Sequence, residues 1–298
     1  MSTLPDATGT IYDIGYRHYT GPRLGRAGAI GAIIGAGIRS VFGLGRSGRS
    51  KIIPWGAVIL ALLPAVVGLA MKVLAGEALQ LFTYQGFLWE IGAILWIFLA
   101  AQSPELVVND IRHHVLPLYF SRPISRFDYA VAKLAALSLS LLVLTLVPVL
   151  VLLLGTILSG DDLVAAMGDE LPALPGIVGN GVLHAVVLAS IGLAISSIAG
   201  RRAYAAGGIV ALFLIGGGVS GIFQAQGETG RQGLADIAPF FSPLAILDGA
   251  REWLFGETVS QSPVAGADVP LLVYGIAAAV IAVICWAVLA VRYRQVAT

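Results

Sequence analysis

Cysteine is almost absent: Cys285 is the single one among 298 residues. One thiol can form neither an internal disulfide nor a cysteine metal site. Inside the last apolar run it reads as a small packing residue. Charge is nearly as scarce. Asp, Glu, Lys and Arg make up 12% of the chain, against about 25% in a soluble domain. With 57% hydrophobic residues and a mean hydropathy of +0.88, the chain cannot cover a water-facing surface. A soluble enzyme is excluded, and nucleic acid is not an expected partner. A phosphate-binding loop is missing as well. The nearest approach, GLGRSGRSK at 43–51, lacks the Gly-Lys-Ser/Thr end that cradles phosphate and reads as a basic linker. No cleavable signal peptide is expected, because residues 1–25 are polar and lack an apolar h-region.

What the chain does have is long apolar runs. Six reach membrane length, at about 53–71, 86–103, 135–158, 177–199, 203–224 and 269–291. Pro148 is placed to kink the third, and the glycines 216–218 mark a flexible or close-packing point in the fifth. A shorter run, 27–38, is bounded by Arg26 and Arg39. It is too short to span and reads as an interfacial helix, although its glycines argue against a regular one. The expected fold is therefore an all-α membrane protein. Residues 1–52 form a lead and interfacial helix, and residues 53–298 form a six-helix transmembrane domain.

The basic residues set the orientation. Fifteen of the eighteen Lys and Arg fall in 1–52, 104–134, 200–202 and 292–298, so both termini are expected to be cytoplasmic. The plasma membrane is the expected location. Residues 225–268 then form the longest outer loop. Its apolar middle, 235–257, reads as one or two short helices on the outer mouth of the bundle. No internal repeat is visible, which weakens an inverted-repeat secondary transporter.

The chain is organised around ELVVNDIRHHVLPLYFSRPISRFDYAVAK, residues 105–133. Basic residues (Arg112, Arg122, Arg126, Lys133) share this loop with Leu116, Leu118, Tyr119 and Phe120, apolar groups that water alone would not favour. The segment reads as a short helix built to dock into a soluble partner.

These residues resemble the first cytoplasmic loop of ABC-2 type permeases, the membrane subunits of a class of ATP-binding-cassette exporters. In that family a coupling helix runs into a Leu-rich turn, a Pro-Val-Ser-Arg turn and a Lys at the next span. Here Leu116, Leu118, Tyr119 and Phe120 fill the apolar part, Pro123, Ile124, Ser125 and Arg126 the turn, and Lys133 the last place. The chain departs from the pattern at His114-Val115, where Gly-Thr is common, and its acid-rich lead keeps only Glu105 and Asp110. Pro117 is expected to bend the helix. Ser242-Pro243-Leu244 followed by Arg251 and Trp253 is similar to the family's outer helices, and the likeness extends over about 26–298. The lead at 12–26 resembles actinobacterial permeases of this kind.

The resemblance implies a pair of separate ATPase subunits carrying ATP and magnesium, no cofactor on this chain, a second permease chain (identical or different) and membrane lipid around it. It also implies an ATPase contact through Asp110, Arg112, His113, His114, Leu116, Leu118, Tyr119, Phe120, Arg122, Pro123 and Arg126. Arg201 and Arg202 are positive-inside anchors or a second, smaller contact.

Three polar residues are candidates for a translocation pathway. Glu90 lies near the outer end of the second span, where an acid reaching outward to the interface is the plainer reading. Asn180 and His184 lie one turn apart in the fourth span, where a hydrogen-bonded packing histidine is the plainer reading. His113 and His114 lack the further ligands a metal site needs. Gly218-Val219-Ser220-Gly221 matches the GxSG of rhomboid proteases, but histidines 18, 113, 114 and 184 all precede Ser220, and that chemistry needs a later one. An ATP-independent transporter or channel, or a non-transporting assembly component, are the alternatives to an exporter. Cargo is expected to be hydrophobic or amphipathic rather than highly charged.

Overall fold

A computed structural model of the chain describes residues 21, 25–75, 82–113, 115–121, 123–160, 162–256 and 263–295. His114, Arg122 and most of the polar lead lie outside the described residues. Among those described there is no strand, and six helices are long and apolar enough to cross a membrane.

The first helix, α1 (Arg26–Val41), precedes α2 (Arg49–Ala75). The short α3 (Phe87–Glu90) leads into α4 (Gly92–Arg112), and α5 (Leu116–Phe120) stands between α4 and α6 (Arg126–Leu158). A corner, α7 (Leu163–Glu170), turns the chain into α8 (Leu174–Ile198). Then follow α9 (Arg202–Glu228), two short helices α10 (Gln232–Ile237) and α11 (Pro243–Phe255), and the last span α12 (Leu271–Gln295).

The spans are not equivalent. Half or more of the most apolar stretch of α4, α6 and α8 is buried, against less than a quarter for α2, α9 and α12. The first three therefore form the core, and the other three present apolar faces outward, as lipid requires. Small residues bring the core helices together. Gly181 of α8 leaves room only for Leu146 of α6, and the Thr145 hydroxyl donates to the Gly181 carbonyl at 3.2 Å. Gly192 lies against Leu99 and Ser103 of α4. The Ser103 and Ser196 hydroxyls share a hydrogen bond of 2.7 Å, fully buried.

Several boundaries differ from the sequence reading. α1 is a regular helix despite its glycines, packed across α6 and α4. A Cβ at Gly37 would stand 2.6 Å from the Ala136 Cβ, so the glycine is what lets α1 lie this close. The second span starts later than 86, because the chain breaks at Ile91 between α3 and α4. The segment 105–133 is not a long loop. α4 runs on to Arg112, α6 begins at Arg126, and only the residues between lie outside those two helices.

The early start of α6 has a local cause. Ser125 is its N-cap and accepts from the Asp128 amide at 3.1 Å, while Asp128 Oδ2 accepts from the Ser125 amide at 2.9 Å. This reciprocal capping box satisfies two of the amides that a helix start leaves unbonded. Pro117 does not bend α5. It sits in the helix's first turn, where the missing N–H would have had no partner.

Candidate functional site

Two polar constellations stand out, one at each end of the bundle. The first surrounds α5. Leu116 is buried, Tyr119 and Phe120 are half-buried, and both rings rest on Tyr129 of α6, with centroids 5.3 and 6.2 Å from its own. Tyr129 in turn meets Tyr293 of α12 edge-on at 5.2 Å. Its hydroxyl donates to Asp110 Oδ2 of α4 at 2.6 Å, and Lys133 Nζ lies 2.7 Å from the same oxygen. One ring thus joins α5 to α4, α6 and α12. Edge and offset contacts of this kind are worth about 0.5–1.5 kcal/mol each beyond burial.

Three further ion pairs fasten this end. Arg26 makes two hydrogen bonds to Asp128, at 2.6 and 2.8 Å. Glu105 pairs with both Arg46 and Arg202, and Arg202 Nε donates to Asn109 Oδ1 at 2.8 Å. The loop between α1 and α2, the end of α4 and the start of α9 are held together by that one carboxylate. The guanidiniums of Arg46 and Arg202 are half-exposed, so each pair contributes at most about 1 kcal/mol.

The residues expected to touch a partner divide accordingly. Arg112, His113, Leu118 and Pro123 are exposed, and Leu118 presents 70% of its surface. Asp110 is committed to Lys133 and Tyr129. Arg126 Nη1 donates to the Arg294 carbonyl at 3.0 Å. Phe127, next to it, stacks at a tilt on Trp286.

The second constellation is at the opposite end. α11 is too short to span and is buried almost all round. On it Asp248, Arg251 and Glu252 are each at most 3% exposed. Arg251 Nε donates to Asp248 Oδ1 at 2.9 Å. Burial lifts the Glu252 carboxyl above the ordinary carboxylate range, against the opposing pull of Arg251. Asn180 and His184 of α8 face this group: His184 lies within electrostatic reach of Asp248 and Arg251. The two do not pair through their side chains. His184 Nδ1 donates to the Asn180 carbonyl at 3.0 Å, leaving Asn180 Oδ1 buried without a hydrogen-bond partner.

Between α8, α11 and the turn before α3 lies a cavity of about 510 Å³. Asn180 and Arg251 line it together with Ile177, Leu254 and Phe255. Gly176 and Gly179 give the Phe255 ring its seat on α8; a Cβ at Gly179 would stand 2.7 Å from its tip. Tyr84 closes the rim and donates to Glu170 Oε2 at 2.8 Å. Burial pushes the Tyr84 hydroxyl up to about 12, with Glu170 adding to the rise. Glu90 is elsewhere, exposed at the end of α3. Ser220, of the GxSG stretch, is buried with its hydroxyl unpartnered.

The sequence reading named Arg251 but missed the two carboxylates beside it on α11, Asp248 and Glu252. It took 235–257 as apolar and aromatic. The available signal was the spacing of Asp248, Arg251 and Glu252, three and four residues apart and so on one helix face. Among the described residues no His, Cys, Asp and Glu cluster could hold a metal ion.

A sequence model of the ABC-2 family transporter protein matches residues 115–295. The chain belongs to this family. The match opens at α5 and closes with α12, so it takes in both constellations in part or whole. None of the curated proteins matches the chain. As an ABC-2 permease it is a multi-pass membrane protein and a membrane component of an ABC transporter, a class that works with an ATPase partner. Members of this family are transporter membrane subunits, generally not catalytic themselves.

Proposed function

We propose that this permease is the pathway-forming half of an ATP-driven exporter in the plasma membrane, with both termini in the cytoplasm. α5 docks into a cleft of a separate ATPase subunit, and ATP and magnesium are bound there. A second permease chain, identical or different, completes the pathway, and the ATPases work as a pair. Asn180 and His184 belong to the outer part of that pathway.

The observation that carries this reading is the construction of α5. It exposes Leu118 at the end of the bundle where the basic residues gather, while its Tyr119 and Phe120 press on Tyr129. A partner gripping α5 therefore pushes on α4, α6 and α12 through one buried ring. Closure of the ATPases gives that push two discrete positions, and the spans follow between inward-open and outward-open arrangements.

The test is purification of the tagged chain from its native membranes in mild detergent, with mass spectrometry of what comes with it. An ABC ATPase that co-purifies with the native chain, and is lost with Leu118→Asp or Arg112→Glu, supports the reading. A chain that comes out alone, or one whose ATPase stays bound in both variants, overturns docking through α5.

A further inference from the structure

The cavity between α8 and α11 has the size and lining of a ligand site. At about 510 Å³ it lies within the range of small-molecule pockets, about 300–1,000 Å³. Its walls divide by chemistry. Ile177, Leu254 and Phe255 form an apolar side, and Asn180, Arg251 and Gln85 a polar one. Arg251 is 1% exposed and Asn180 3%. Asn180 Oδ1 is buried without a hydrogen-bond partner, and such a group is costly to bury unless an occupant pairs with it.

The charge balance narrows the occupant. Arg251 is already paired with Asp248. The Tyr84 hydroxyl is given to Glu170, and Lys72 stands 3.8 Å from that carboxylate. The charged side chain that lines the cavity, Arg251, is thus matched within the protein. A ligand bringing its own charge would bury it unpaired, which is strongly unfavourable. An uncharged head of amide or hydroxyl type meets no such cost. It can take N–H groups from Arg251, Asn180 and Gln85 and return its own donors to the two amide side chains. The apolar wall then needs an aliphatic or aromatic body.

We infer that this cavity is a binding site for an uncharged amphipathic molecule with an amide or hydroxyl head, seated on Asn180 and Arg251 with its apolar body against Ile177 and Phe255. The binding itself depends only on this chain. That the occupant is cargo on its way out rests on the permease reading above.

The probe is octanamide bearing a diazirine near its tail, added to the full chain in lipid nanodiscs without ATPase and crosslinked by light. Mapping by mass spectrometry is expected to place the label on 173–177 and 254–255, saturably. Unlabelled octanamide should reduce it at least tenfold, and octanoate or octylammonium at neutral pH should not. Ala173→Trp, which fills the rim, should abolish labelling with the melting temperature unchanged. Arg251→Lys tests the polar wall: it keeps the charge beside Asp248 and should weaken competition severalfold. Labelling spread without saturation over α2, α9 and α12 overturns the site. Equal competition by octanoate or octylammonium overturns the uncharged class. Because no ATPase is present, failure here leaves the docking of α5 standing, and binding without any co-purifying ATPase would keep the site while removing its role in ATP-driven export.

Discussion

The Tyr129 hydroxyl donates to Asp110 Oδ2 at 2.6 Å, and the same carboxylate oxygen takes Lys133 at 2.7 Å. Two adjacent spans are thus joined through one oxygen, with the phenol ring reaching on to α5 and α12. Lys133 is buried, so the carboxylate offsets a charge that would be costly there alone.

Tyr129→Phe keeps the ring contacts and removes the hydroxyl. It is expected to cost about 1–3 kcal/mol, the penalty for leaving a charged group short of a partner. Tyr129→Ala removes the ring as well and should cost about 3–5 kcal/mol. Thermal melting in detergent measures both. Equal losses in the two variants would mean the ring contacts contribute nothing.

Leu116 and Leu118 lie two residues apart on α5 and should behave oppositely. Leu116→Ala empties a buried site and should cost about 2–5 kcal/mol. Leu118→Ala acts on an exposed side chain and should stay within about 0.5 kcal/mol of the native chain. The same melts check this, and a destabilised Leu118→Ala would place that side chain inside the fold.

The glycines 216–218 are not equivalent. At Gly216 a Cβ would run into the Phe241 carbonyl oxygen, which is backbone and cannot swing aside. Gly216→Ala should therefore cost about 1–3 kcal/mol. Gly217 has open space around it, so Gly217→Ala should gain up to about 1 kcal/mol from helix propensity. Melting curves of the two single variants, compared side by side, test the distinction.

Glu252 predicts a pH effect with a definite sign. Its carboxyl is raised by burial, so the folded state favours the protonated form. The stability this gives is fully present below the unfolded pKa and is lost as pH rises through the folded one. Glu252→Gln keeps the shape without the titration. The variant should melt above the native chain at pH 8, and the gap should close toward pH 4–5. A gap that does not change with pH would show that Glu252 stays in one protonation state across the range.

The six apolar helices were legible from run length alone, because the bilayer imposes a length on every span. Their ends were not. Apolar content stops near 103 and resumes near 135, but the backbone stays helical to Arg112 and from Arg126 because ion pairs replace lipid there. Asp110 with Lys133 and Asp128 with Arg26 make charged turns part of the packed bundle. The capping box at Ser125–Asp128 was readable and would have placed the start of α6. The pairing of Glu105 with Arg46 and Arg202 was not, since it joins segments 59 and nearly a hundred residues apart. At the other end, Asn180 and His184 were found as polar residues in an apolar run. Their neighbours on α11 were hidden by the Trp, Leu and Phe that follow them.

The capping box also sets the length of a lever. α6 runs 33 residues as one continuous helix through Pro148, about 50 Å long. One end is pinned by Ser125, Asp128 and Arg26 beside α5, and the other reaches past Gly155, where Leu69 of α2 fills the place of a side chain. A tilt of about 5° at the pinned end of a rod that long carries the other end about 4 Å. Motion too small to disturb the charges around α5 is thus large enough, across the bilayer, to open or shut a gap the width of a methylene chain.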